Sequence, residues 1–149
     1  MIVSMAPGRR AWRCTRAARH VIEDAARRAY PDEGCGWLLG AASGEVRIAV
    51  AAGNEEESGR AAARYLMGPD SYRAVSRMAR AEGLDVVGVF HSHPDHPPLP
   101  SATDLAEAWP SWLYVIVPVQ AGTPGELHGW LLRDDRSGFL PIELDHLDR

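Results

Sequence analysis

The 149-residue chain contains no lysine; all 16 basic residues are arginine. That absence removes P-loop phosphate binding and Schiff-base catalysis, both of which need a lysine amine. Cysteine is nearly as scarce. Cys14 and Cys35 make neither a disulfide framework nor a CxxC pair, so reduced thiols and a cytoplasmic location are expected. No apolar run approaches the roughly 20 residues of a membrane-spanning helix. No apolar stretch precedes Arg9 and Arg10, so no secretory leader is expected. The formal net charge of −4 leaves no cationic surplus, which argues against nucleic acid or an anionic membrane as a partner. Seven arginines do crowd Arg9–Arg28, against only Glu23 and Asp24, and they read as the solvated face of a helix.

What remains has the composition of a soluble α/β protein, 46% hydrophobic and 24% charged, of a size that suits one core. Residues 1–14 read as an N-terminal lead-in and 15–149 as a single domain. Thr15 is the expected N-cap of a helix in which Ala18, Val21, Ile22, Ala25 and Ala29 recur at helical spacing, ended by Pro31. Trp37–Gly40 and Val46–Val50 read as a hairpin, residues 53–61 as a mobile loop, and Arg64–Met67 as a further strand. Asp70 is the expected cap of a helix over 71–82, closed by Gly83. The apolar run Val86–Phe90 is an expected buried strand, followed by a Pro-rich loop over 94–100 and a short helix from Ala102 to about Trp109. Trp112–Val117 reads as a central strand. Residues 126–133 and 139–144 flank a turn, and Pro141 places the second of these strands at an edge. The sum is a mixed, partly antiparallel sheet with helices against it.

The chemistry concentrates after Phe90. His91 and His93 lie two apart in an extended segment, so their imidazoles face the same way and can converge on one metal ion while Ser92 points elsewhere. Asp104 follows eleven residues after His93. Ser101 and Asp104 form an S-x-x-D pattern that resembles a helix capping box, and a carboxylate held in a first helical turn is also rigid enough to be a ligand. Three protein ligands leave a coordination position for water, the arrangement of a catalytic zinc site. Such a site needs a base. Glu33, in Asp32-Glu33-Gly34-Cys35-Gly36, is the candidate, with Asp32 as its neighbouring rival; the two glycines permit close backbone approach. Cys35 reads as a small buried residue and His96 as a solvent-facing one. His20, His128 and His146 have no evident partners.

Taken together, Glu33 followed by H-x-H-x7-S-x2-D (His91, His93, Ser101, Asp104), with Tyr30–Gly40 and Gly88–Pro94 around them, resembles the JAMM (MPN-plus) zinc metalloproteases, and within them the short stand-alone bacterial type. The likeness covers roughly residues 15–144. It implies an α/β sandwich similar to the cytidine-deaminase architecture. It implies one Zn2+ on His91, His93 and Asp104, with Glu33 as the proton carrier and Ser101 as the donor to the oxyanion. It further implies a peptidase or isopeptidase cutting after the C-terminal Gly-Gly of a ubiquitin-like or sulfur-carrier protein, with the 53–60 and 94–100 loops as candidate walls of the tail groove. Two other readings stand beside it. Two histidines and a carboxylate also form the facial triad of non-haem iron enzymes, and the same fold occurs as a non-catalytic MPN interaction domain.

Overall fold

The computed structural model describes residues 11–57 and 59–148, and it turns the end of the expected lead-in into a strand. In β1 (Ala11–Cys14), Trp12 and Cys14 are buried while Ala11 and Arg13 are exposed, the period-two pattern of a half-buried strand. The remainder of the lead-in, residues 1–10, lies outside the described residues. Thr15 caps α1 (Arg16–Ala29) as expected, its hydroxyl accepting from the Ala18 amide at 3.1 Å. The helix buries Ala18, Ile22 and Ala26, while Arg16, Arg27 and Arg28 face solvent. Fully burying a side chain such as Ile22 stabilises by roughly 1.5–3 kcal/mol.

The expected first hairpin is β2 (Cys35–Ala41) and β3 (Glu45–Ala52), antiparallel, with a register shift after Leu39. Residues 64–67 do not form the expected strand; they run as coil into α2 (Pro69–Ala81). Asp70 is not the N-cap of α2. Proline suits the first helical position, so Pro69 takes it, which makes Gly68 the cap and puts Asp70 in the first turn. The helix ends at Ala81 with Glu82 as its C-cap, and the next residue is Gly83, whose φ of +70° is a conformation glycine adopts without strain.

The strand expected over Val86–Phe90 is longer, β4 (Asp85–Pro94), and the histidines lie within it rather than beyond its end. It extends because β5 (Leu113–Gln120) runs parallel beside it, pairing His91 with Ile116, Ser92 with Val117 and His93 with Pro118. Between them stands α3 (Ala102–Glu107), shorter than expected. β6 (Thr123–Pro124), β7 (His128–Leu132) and β8 (Phe139–His146) complete the sheet. Among the described residues Pro141 pairs with Trp130 on one side only, while from Glu143 onward β8 is also flanked by β1, so the strand as a whole is not an edge.

The strand order is β4-β2-β3-β1-β8-β7-β5-β6, and β4 also pairs with β5, so the ladder closes on itself. Pairings are parallel at β1–β3, β1–β8 and β4–β5 and antiparallel elsewhere. One face carries α1 over a core that includes Leu38, Val46, Phe90 and Val117. On the other face, Val75 and Ala79 of α2 pack with Trp37, Leu39, Val89 and Tyr114, and Leu105 of α3 joins them. The result is the α/β sandwich with a mixed sheet that the sequence implies.

The β4–β5 contact depends on Gly88, where an added Cβ would come within 1.9 Å of the Leu113 carbonyl oxygen. Backbone cannot yield as a flexible side chain does. Gly88→Ala is therefore expected to lower the unfolding free energy by about 2–3 kcal/mol in urea titration; a loss below about 0.5 kcal/mol would contradict this account of the strand contact.

Candidate metal and catalytic site

His91 and His93 project from the same face of β4 and are almost wholly buried. Their Nε2 atoms stand 3.2 Å apart. Asp104 enters from the first turn of α3, its Oδ2 3.3 Å from His91 Nε2 and 3.5 Å from His93 Nε2. Donors around a tetrahedral ion with bonds near 2.0–2.1 Å are separated by about 3.3–3.4 Å, so the three atoms fit one small divalent cation. Tautomer chemistry agrees for His93. Its Nδ1 lies 2.7 Å from the Pro97 carbonyl, which only accepts, so the proton belongs on Nδ1 and the Nε2 lone pair is left for a ligand role. The Pro-rich loop thus serves the site by presenting that carbonyl.

The capping box is also present, and the carboxylate that completes it is the one that faces both imidazoles. Ser101 Oγ accepts from the Asp104 amide at 3.0 Å, and Asp104 Oδ2 accepts from the Ser101 amide at 2.8 Å. Because the serine hydroxyl accepts in this pair, its own proton remains available to a further partner.

Glu33 reaches the same place from the loop between α1 and β2. It is 3% exposed, and a carboxylate oxygen lies within 4.8 Å of ring nitrogens of both histidines. Asp32, the rival, is exposed. Ser92, between the histidines, faces away from them and ties the two segments together: its hydroxyl accepts from the Gly34 amide at 2.7 Å, and its own amide donates to the Gly34 carbonyl at 2.9 Å. Gly34 is needed there because a Cβ would meet the Ala25 carbonyl oxygen of α1 at 2.7 Å. Cys35 is buried as expected, and burial, with the Glu33 charge beside it, pushes its thiol up to about 12, which leaves it inert. His20 and His146 are exposed and His128 is half-buried; among the described residues none of them joins the metal-ligating group.

Two aromatic contacts had no counterpart in the sequence reading. Tyr65 stacks on His91 with ring centroids 4.5 Å apart. His96 is exposed as expected, yet it stacks on His93 at 4.2 Å. Tyr65 also lines a cavity of about 590 Å³ together with Trp37, Leu66, Tyr72, Trp112 and Tyr114. Among the described residues, the Gly53–Arg60 and Pro94–Pro100 loops, expected to wall a substrate groove, contribute no lining residue to this cavity. Segment 65–69 and the residues at and beyond the end of α3 wall it; Asn54 donates to the Glu33 carbonyl and accepts from the Leu66 amide, and the Glu55 carboxylate accepts from the Gly68 amide.

Electrostatics separate the two carboxylates. Burial raises Asp104, but the His91 and His93 imidazoles beside it and the Ser101 amide outweigh it and hold the group well below the usual carboxylate range. Burial, and then the negative charge of Asp104, push Glu33 up to about 8. Burial also lowers His91, with Asp104 opposing. The site thus pairs a carboxylate that stays ionised with one that exchanges protons near neutrality, which is how acid–base roles divide between paired acids.

A family model described as prokaryotic homologs of the JAB domain matches residues 15–133. A protein of Haloferax volcanii named desampylase is 37% identical over 90 residues, covering 58% of this chain and 62% of that protein. The chain thus matches less than two thirds of the length of this relative. A desampylase of Pyrococcus furiosus is 30% identical over 105 residues, covering 68% of each. The crystal structure of a JAB1/MPN domain protein from Archaeoglobus fulgidus superposes with a TM-score of 0.57 at 20% identity, covering 93% of this chain and 98% of that one, which establishes the shared fold. No described helix is long and apolar enough to cross a membrane.

A pH dependence follows from Glu33. In the metal-free protein its folded value, about 8, lies above its unfolded value near 4.5. Between these limits the folded state holds a proton that the unfolded chain releases, so stability falls as pH rises through the window. Glu33→Gln removes this loss. In chelator-treated protein the variant is expected to be more stable than wild type at pH 9 by on the order of 2–4 kcal/mol and equal to it near pH 4. A difference in urea unfolding that did not grow with pH would contradict the placement of Glu33.

Proposed function

The chain belongs to the family of prokaryotic JAB-domain homologues, and we propose that it is a zinc-dependent peptidase or isopeptidase acting after the C-terminal Gly-Gly of a ubiquitin-like or sulfur-carrier protein. The observation that carries this reading is the convergence of His91, His93 and Asp104 on one point, with buried Glu33 beside them. His91, His93 and Asp104 would hold the zinc ion, which supplies Lewis acidity and lowers the pKa of water toward 7. Glu33 then takes a proton from the attacking water as its oxygen joins the scissile carbonyl carbon. When the C–N bond breaks, Glu33 delivers that proton to the departing amine, which leaves neutral; the Gly-Gly end forms as a carboxylic acid and becomes a carboxylate by losing its remaining water-derived proton to solvent. Ser101, its hydroxyl proton free, donates to the carbonyl oxygen as negative charge builds, a contribution of about 3–4 kcal/mol to the barrier in comparable sites.

Access to the site supports this substrate class. The histidines and Glu33 are nearly solvent-free, so a chain reaching them must be slim, which two glycines provide. The aromatic cavity adjoining Tyr65 would take an apolar side chain upstream of those glycines. The relatives' name, desampylase, denotes removal of a ubiquitin-like modifier, and this supports the same class of partner. A facial-triad iron enzyme would leave buried Glu33 without a task, and a non-catalytic interaction domain would leave the full set of donors without one.

The test is cleavage of sulfur-carrier and ubiquitin-like proteins extended beyond Gly-Gly, with products read by mass. Zinc-loaded wild type is expected to release the extension, and a chelator to stop it. Glu33→Gln is expected to lose 10²–10⁴-fold in kcat, by order of magnitude, while still binding one zinc per chain. Wild-type turnover by that variant would remove the assigned role of Glu33.

A further inference from the structure

We infer that Asn54 is a positioning residue that fastens Glu33 and Tyr65 into one unit, an inference that rests on the reading of Glu33 as the proton carrier. Asn54 lies in the stretch whose composition suggests a solvated loop, yet its side chain is saturated by backbone. Nδ2 donates to the carbonyls of Arg64 at 2.9 Å and Glu33 at 3.1 Å, with the Ala61 carbonyl at 3.5 Å. Oδ1 accepts from the amides of Glu56 at 3.0 Å and Leu66 at 3.1 Å. A flipped amide would set its oxygen against three carbonyls and its NH2 against two N–H groups, so the network itself fixes the orientation.

The consequence for Glu33 is direct. Its amide donates to the Ala61 carbonyl at 2.7 Å and its carbonyl accepts from Asn54, so both of its backbone polar groups are committed to the 54–66 segment. Its chain neighbour Gly34 is held from the other side by Ser92. Asn54 grips Arg64 and Leu66 as well, the two residues on either side of Tyr65, whose ring lies on His91 and lines the aromatic cavity. One amide therefore sets the base on one side of the site and the aromatic cover on the other. The segment that would feel an incoming tail is the same one that holds Glu33 in place.

Asn54→Asp separates the halves of this network, because it keeps the acceptor toward Glu56 and Leu66 and turns the donor into a second acceptor facing carbonyls. The zinc-loaded variant is expected to lose about 10–100-fold in kcat with KM changed less than about threefold. Zinc affinity, read by competition with a chromogenic chelator, is expected to hold within about threefold, since no ligand touches Asn54. In the Glu33→Gln background the same substitution is expected to add less than about twofold, because its effect runs through Glu33. In metal-free protein, amide exchange at Glu33 is expected to speed up while Gly34, bonded to Ser92, does not change. Unaltered exchange at Glu33, a full additional kcat loss in the Glu33→Gln background, or zinc affinity falling in step with kcat would each overturn the inference. If Asn54→Asp does not fold, Asn54→Ala is read in the same way. If wild type cleaves no carrier protein, the proposed function fails, and the exchange measurement alone decides the role of Asn54.

Discussion

The pairing of β2 with β4 is the constraint on which the rest depends. It sets Cys35 opposite His91, and the reciprocal hydrogen bonds between Ser92 and Gly34 extend the contact by one residue beyond the ladder. Because side chains alternate along a strand, turning Ser92 toward Gly34 turns both histidines the other way, toward Asp104. A slip of one residue would send the imidazoles into the α1 core and bring Ser92 into the site. The glycines serve the same contact: Gly34 lets the Glu33 loop lie against α1, and Gly88 lets β5 draw close to β4, which carries β4 on through both histidines.

The electrostatic consequence is a division of labour between two acids that composition alone cannot rank. Asp104 lies against both imidazoles and accepts from a helix-terminal amide, and these neighbours favour its charged form. Glu33 is desolvated without such donors and sits near that charge, so its proton is held more tightly. Geometry alone also admits a group made of Glu33, His91 and His93. On the proposed reading, the contrast in environment suits Asp104 to the ion and Glu33 to proton transfer.

Most of what is legible in this site is local; Glu33, far away in the chain, is singled out over Asp32 only by the family resemblance. His91, His93, Ser101 and Asp104 fall within fourteen residues, and strand alternation and helix capping both act at that range, so spacing was enough to bring them together. Thr15 and the two hairpins were legible for the same reason. The missed features depend on distant partners. Four residues are too few for alternation to reveal β1, which is held by β3 and β8. Asp70 has the chemistry of a cap, but Pro69 favours the first helical position and moves the cap to Gly68. Tyr65 lies in a segment whose apolar character suggested a strand, and its order comes from the Asn54 hydrogen bonds, which leave no periodic trace in sequence. Asn54 itself looks like any loop asparagine until its five partners are seen.

The most direct test of the central claim is anomalous diffraction at the zinc edge from crystals of zinc-loaded protein. The account predicts one ion per chain, bonded to His91 Nε2, His93 Nε2 and one oxygen of Asp104, with Glu33 close by but not coordinated. An ion held by Glu33 in place of Asp104, or no ion between the two histidines, would contradict it.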